Sequence, residues 1–172
     1  MSQFKRLTDS SIPKIQKELS PEALLWQKYL ESGKVVKEYG LINKLDLNLF
    51  NNDLLVSSLS RICIYNINNM ESKKSFQSFT PSSVYWGSYR KSDGKLITSS
   101  TEEGKVSIYD TDNSKPLRVL SDKPESRHLG AVRCSEFLSN HQVVSFSDDK
   151  HIKIWDIADG SFVQDIGSSK LI

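Results

Sequence analysis

The sequence predicts an all-β protein made of tandem four-stranded sheets, the blades of a propeller, with one short helix ahead of them. Three observations carry this. A segment that alternates apolar and polar residues and ends in an aromatic followed by Asn or Asp occurs three times, at 61–66, 105–110 and 151–156. Its aromatics, Tyr65, Tyr109 and Trp155, lie 44 and 46 residues apart, the length of one four-stranded propeller blade. Each copy also has two β-rich runs before it and a shorter one after it.

Taken in chain order, the first element is the helix. Ser20-Pro21-Glu22 places a good N-cap before a proline at the first helical position, where the missing N–H costs nothing. Leu24, Leu25, Lys28 and Tyr29 continue at helical spacing to Gly33, a natural stop, so the spacing predicts a helix over about 21–31. Upstream, Lys5, Arg6, Lys14 and Lys17 face only Asp9 and Glu18, a mild positive excess suited to an acidic partner or RNA phosphate. Residues 1–33 are therefore read as a tail and short helix, and 34–172 as a partial propeller.

Residues 34–39 stand just ahead of the first blade, where the outermost strand of a preceding blade belongs, and are read as a closure strand that leaves no sheet edge open. The blades follow at about 41–80, 84–121 and 128–167. In the first, runs 41–49 and 54–58 flank the turn Asn51-Asn52-Asp53. In the second, 84–89 and 96–100 flank Ser92-Asp93-Gly94, a signal for a two-residue type I′ hairpin because Asp-Gly tolerates positive φ. In the third, 131–137 and 143–147 flank Ser139-Asn140-His141. Runs 74–79, 117–120 and 162–166 complete four strands each. A closed ring has about four to eight blades. Three are the opening part of a longer propeller, or a short version whose open edges something else covers.

Composition narrows the function classes. The chain has 172 residues, 23 Lys plus Arg against 21 Asp plus Glu, and 37% hydrophobic residues. No run approaches the ~20 apolar residues of a membrane-spanning helix, and the start MSQFKRLTDSS has no apolar core, so a soluble intracellular protein is expected. Two cysteines, Cys63 and Cys134, and three scattered histidines make neither a disulfide framework nor a zinc site. Both thiols read as small buried hydrophobes. No phosphate-cradling loop, paired catalytic carboxylates or Cys/His pair appears, so no catalytic, cofactor or metal site is assigned and no small-molecule substrate is expected. Asp148-Asp149 and Glu102-Glu103 read as turn acids, and Tyr85, Trp86 and Tyr89 as blade packing rather than base-stacking residues.

With these segments in hand, the chain resembles the WD40 family, and its third unit matches best. That resemblance implies a buried hydrogen-bonded tetrad of His128, Ser145, Asp149 and Trp155. A carboxylate buried in a tight turn is costly unless its oxygens accept several hydrogen bonds. Nothing around Ser145 has the form of a nucleophile elbow, so the four are read as structural. The second unit keeps Ser99 but has Glu103 and Thr80 at the acid and histidine positions, and the first has Leu59 in place of the acid. Those blades are expected to rely on packing alone.

The order Pro21 to Tyr29, Val36 to Gly40, Leu45-Asp46-Leu47, and then Ser60 to Tyr65 and 144–149 is similar to the N-terminal region of the U-three small nucleolar RNA-associated proteins of the WD40 class. This implies a non-catalytic nucleolar scaffold of the small-subunit processome, acting in pre-rRNA processing and ribosome biogenesis and linked to rDNA transcription. Its implied partners are other WD40 and helical proteins of that assembly, with contact to pre-rRNA or U-three small nucleolar RNA through the basic tail, and no membrane. The same resemblance implies a C-terminal helical domain, for which these residues carry no segment. Glu102, Glu103, Lys123 and Arg127 are the candidate partner-contact loop residues. The alternative is a substrate-recognition adaptor of a regulatory complex such as a ubiquitin ligase. That use calls for converging arginines, whereas Arg90, Arg118, Arg127 and Arg133 are spread through the units.

Overall fold

The computed structural model describes residues 20–38, 40–59, 61–77, 83–120, 124 and 126–167. The chain divides into two compact units, residues 1–35 and 36–172. The described part of the first is α1 (Pro21–Ser32) with the residues beside it. Ser20 Oγ accepts the Ala23 N–H at 3.2 Å and Pro21 opens the helix, as the start signal requires. The helix ends at Gly33 in extended backbone, φ −64° and ψ 129°, so the glycine stops it without the left-handed cap that such a residue commonly provides. Leu24, Leu25, Trp26 and Leu30 are exposed on it.

The described residues of the second unit form twelve strands in three four-stranded antiparallel sheets. The first blade is β1 (Ile42–Asn48), β2 (Asp53–Ser58), β3 (Arg61–Asn66) and β4 (Ser72–Gln77). The second is β5 (Val84–Tyr89), β6 (Leu96–Thr101), β7 (Val106–Asp110) and β8 (Pro116–Val119). The third is β9 (Val132–Phe137), β10 (Gln142–Ser147), β11 (His151–Asp156) and β12 (Phe162–Gly167). Within each sheet, strands neighbour one another in chain order. The recurring aromatics stand in one register, with Tyr65 opposite Leu54, Tyr109 opposite Ile97 and Trp155 opposite Val143. The three blades therefore correspond position by position.

Because side chains alternate between the faces of a strand, each blade has a forward face toward the next blade and a rear face toward the one before. The forward residues Leu55, Ile62, Ile64 and Phe76 of the first blade bury against Val84, Tyr89, Ile97 and Tyr109 of the second. Val106, Ile108 and Leu120 bury in turn against Val132, Val143 and Trp155 of the third. Polar side chains of the first strands tie neighbouring blades together: Asp46 accepts the Tyr89 N–H at 2.8 Å, and Glu136 accepts from Trp86 Nε1 at 3.0 Å and from Ser88 Oγ. Lys44 lies 4.0 Å from the Trp86 ring centroid and Arg133 lies 4.3 Å from that of Tyr85. Tyr89 is buried.

Three local expectations change. Ser92-Asp93-Gly94 does not make a two-residue turn: residues 90–95 form a wider loop closed by Arg90 N–H to Leu96 O at 2.8 Å, with Gly94 at φ +65°. Asp93 binds the Arg90 guanidinium and the Lys95 N–H instead, and that competition with the turn backbone widens the loop. Between β2 and β3 the pairing continues to Ser58 opposite Arg61. Residues 34–38 form no strand, and Tyr39 lies outside the described residues. Of the thiols, Cys63 is buried and Cys134 only half-buried.

Candidate functional site: a buried tetrad beneath a loop face

The third blade brings His128, Ser145, Asp149 and Trp155 into one hydrogen-bonded chain. Trp155 Nε1 donates to Ser145 Oγ at 2.8 Å, Ser145 Oγ lies 2.8 Å from His128 Nε2, and His128 Nδ1 lies 2.9 Å from Asp149 Oδ2. An ionised carboxylate only accepts, so Nδ1 carries the proton and Nε2 accepts the Ser145 hydroxyl. Asp149 also accepts the N–H groups of Leu129 and His151, each at 2.9 Å. Burial works to raise its pKa, but these donors and the His128 ring outweigh it and hold the carboxyl at about 2. For His128, burial dominates over the attraction of Asp149 and pushes the imidazole below its ordinary value. The ring is therefore neutral near pH 7.

Every polar atom of the serine and histidine is thus committed inward, toward other side chains of the same blade. Trp155 and His128 are fully buried, so a substrate has no path to the serine hydroxyl. The arrangement fixes the loop that enters the third blade to the turn that precedes β11. Lys153, buried beside it, donates to the carbonyls of Ser126 and Arg127 at 2.9 and 3.0 Å. The apolar-polar alternation of β11 places Lys153 on the Trp155 face, yet a lysine there reads as a surface residue unless its loop acceptors are known.

The partner-contact candidates come partly together. The Arg127 guanidinium donates to the Glu103 carbonyl at 2.5 and 3.2 Å, joining the loop before the third blade to the turn of the second. The Glu103 carboxylate pairs with Lys105 at 2.8 Å. Glu102 is exposed beside them, with Leu129. Lys123, Thr80 and the basic tail lie outside the described residues.

The first blade does not rely on packing alone. Glu38 reaches it from the segment ahead of β1: its carboxylate accepts from the Tyr65 hydroxyl, from Arg61 at 2.6 Å and from Ser58 Oγ at 3.4 Å. Burial raises the Glu38 pKa, while Tyr65 and Arg61 lower it by more, so the net direction is down. Val36 packs on Val56, Cys63 and Tyr65. Sequence reasoning missed this group. The available signal was Tyr65 itself, whose hydroxyl needs a partner at the position Trp155 holds in the third blade.

Among the described residues, no cluster of three or more His, Cys, Asp or Glu side chains could hold a metal ion, and no helix is long and apolar enough to cross a membrane.

No family model matches the chain. Among curated proteins, it is 32% identical to the U3 small nucleolar RNA-associated protein 15 homolog of Xenopus laevis over 93% of this chain and 30% of that protein. It is 31% identical to the homolog of Gallus gallus over 91% and 29%. It is 30% identical to U3 small nucleolar RNA-associated protein 15 of Saccharomyces cerevisiae over 89% and 29%. The chain thus spans about 30% of the length of these relatives. Among solved structures, a chain of the mitotic checkpoint complex superposes with a TM-score of 0.67 at 19% identity, over 78% of this chain and 40% of that one. The computationally designed Ika4 protein superposes with 0.63 at 21%, over 77% and 76%. The solved structures show the fold, three blades of the WD40 propeller type, and over about 90% of its length the chain is similar in sequence to proteins named U3 small nucleolar RNA-associated protein 15.

Proposed function

We propose that the chain is a non-catalytic scaffold of the nucleolar small-subunit processome, acting in pre-rRNA processing and ribosome biogenesis and linked to rDNA transcription. The observation that carries this is the run of relatives at 29–32% identity over about 90% of the chain, from frog to yeast, all named for the U3 small nucleolar RNA. The geometry supports a binding role. The Ser, His and Asp that a hydrolase would need are consumed in a buried structural chain, while the blades hold several loops rigidly at once, which suits simultaneous contact with other WD40 and helical proteins. Glu102, Leu129 and the loop held by Arg127 form the contact surface, and the basic N-terminal tail reaches pre-rRNA or the small nucleolar RNA.

The adaptor reading has less behind it. Reading an acidic or phosphorylated motif requires free, converging guanidinium groups. Here Arg90 is paired with Asp93, Arg133 with Asp148 and Arg127 with a backbone carbonyl.

Affinity purification from nucleolar extract, with mass spectrometry and RNA detection, tests the proposal. Recovery of processome proteins with U3 small nucleolar RNA is the expected result. Recovery of cullin-type ligase subunits without that RNA overturns it.

A further inference from the structure

The chain has two Asp-Gly dipeptides, Asp93-Gly94 and Asp159-Gly160. In such a pair the side-chain carboxyl readily meets the next amide nitrogen, because glycine puts no Cβ in the way. In both, the carboxylate bends back over the glycine to accept the N–H two residues on. Asp93 Oδ1 accepts from Lys95 at 3.0 Å, and Asp159 Oδ1 from Ser161 at 2.8 Å. Each carboxyl carbon is thereby held beside a glycine amide. Both carboxyls also sit below the ordinary carboxylate range, Asp93 chiefly through Arg90 and Asp159 chiefly through the Ser161 hydroxyl. Charge state therefore does not separate the two sites.

The nitrogen and the room around it do. The Gly94 N–H is spent on Arg90 O at 2.8 Å, and the Arg90 guanidinium clamps Asp93 at 2.5 and 3.0 Å. Gly94 is buried, and its carbonyl is held by Asn48 Nδ2 at 3.0 Å. A methyl group added there would overlap the Asn48 side chain, so the backbone has no space to lengthen.

Gly160 stands in the opposite surroundings. Among the described residues no backbone carbonyl accepts its N–H. Ala158 and Asp159 are exposed, and the atom nearest to an added methyl is Arg118 Cδ at 3.0 Å, on a flexible side chain. Ser161 donates to the Asp159 carboxyl twice, through its N–H and its hydroxyl. Those donors stand where negative charge gathers when a nitrogen adds to the carboxyl carbon.

We propose that Asp159 is a site of spontaneous backbone modification, converting to isoaspartate through attack of the Gly160 nitrogen on its carboxyl carbon, while Arg90 protects Asp93. The protonated carboxyl gains a C–N bond, and its hydroxyl leaves with the amide hydrogen as water, closing a cyclic imide. Water then opens the ring. Addition at the side-chain carbonyl restores aspartate, and addition at the main-chain carbonyl leaves isoaspartate with a free α-carboxylate. One water is lost and one regained, so no oxidant or cofactor enters. The product carries the chain through its side chain and adds a carbon to the turn between β11 and β12, which Asp156 N–H to Ser161 O closes at 2.9 Å. Its free α-carboxylate is the group that an isoaspartyl methyltransferase esterifies with S-adenosylmethionine. This ageing of the third blade stands apart from the processome reading.

Ageing the 172-residue chain at neutral pH and body temperature, folded and in parallel in guanidinium chloride, tests the proposal. Peptide mapping with electron-transfer fragmentation distinguishes isoaspartate from aspartate at each site. In the folded chain, isoaspartate at 159 is expected to accumulate several times faster than at 93. Denaturant should bring the two rates together, since the unfolded chain has neither the clamp nor the turn. Arg90→Ala, folded by circular dichroism, should raise the rate at 93 and leave that at 159 unchanged. Equal rates at the two sites of the folded chain, or faster modification at 93, overturn the proposal. So does a folded chain free of isoaspartate at 159 when the unfolded chain forms it at both, or an Arg90→Ala chain whose rate at 93 does not rise.

Discussion

The first and third blades solve one problem in different ways. Each places a large aromatic with a polar tip in its third strand, Tyr65 in one and Trp155 in the other, and each tip must find a partner once buried. The third blade supplies the partner from within, through Ser145, His128 and Asp149. The first receives it from the segment ahead of its first strand, through Glu38. In both, donors hold a partly buried carboxylate below its ordinary pKa. The shared requirement is thus an ionised acid with enough donors around it. The difference is whether losing the acid damages a blade or releases a segment.

That difference sets the largest expected effect. Asp149→Ala leaves His128 Nδ1 and two backbone N–H groups without their acceptor inside the blade, and is expected to cost about 3 kcal/mol in urea unfolding, the upper part of the range for buried donors left unsatisfied. Glu38→Ala is expected to cost about 1 kcal/mol, because Arg61 and the edge of the segment recover water. Equal costs would remove the distinction between the two anchors. A change below about 0.5 kcal/mol for Asp149→Ala, the usual scatter of surface substitutions, would mean the tetrad does not stabilise the blade.

The next effect separates the blades by pH. His128 has a folded pKa below its unfolded value, so it favours the native state above pH ~6.5 and that stability is lost as the pH falls further and the buried ring must charge. Asp149, at about 2 when folded, contributes stability that is present above pH ~4 and is lost between there and about 2. Glu38, also depressed, acts only in the carboxylate range. Hydrogen exchange at pH 5.5 against pH 7.5 should therefore show loosening in residues 126–167 while residues 42–77 keep their protection. Loosening that begins in the first blade would reverse the assignment. In His128→Gln, the decline between pH 7.5 and 5.5 should largely disappear.

Much of this was legible in the sequence, for physical reasons. Trp155, Ser145, Asp149 and His128 could be placed because the third unit matches, residue by residue, the pattern of the family it resembles; the repeat itself gave the strands but not these roles. Glu38 could not, because it acts on Tyr65 across 27 residues and from outside the repeat. The Asp-Gly signal failed because Asp93 had a stronger use for its side chain, in Arg90, than a tight turn offers. The pairing of Arg127 with the Glu103 carbonyl was invisible because a guanidinium that meets a backbone acceptor leaves no mark on residue type. Lys153 followed the alternation but hid its role, since its acceptors are carbonyls of a loop that has no pattern.

The smallest effect tests the comparison at one backbone position. The turn after the third strand is built alike in both blades: Asn66 N–H bonds Glu71 O at 2.9 Å in the first, and Asp156 N–H bonds Ser161 O at 2.9 Å in the third. Its fourth residue after the strand end is left-handed in both, Met70 at φ +55° and Gly160 at φ +76°. A residue with a Cβ costs about 1–2 kcal/mol in that region, and glycine costs about 0.5–1 kcal/mol in lost chain entropy. Met70→Gly is therefore expected to raise stability by about 0.5 kcal/mol despite losing some packing of the half-buried Met70 side chain. Gly160→Ala should lower it by about 1 kcal/mol, because the new methyl would also stand 3.0 Å from Arg118 Cδ. Thermal melts of the two variants should move in opposite directions. A fall in both would mean that Met70 contributes more through packing than its backbone loses through strain, and that the two turns share a shape without sharing an energetic cause.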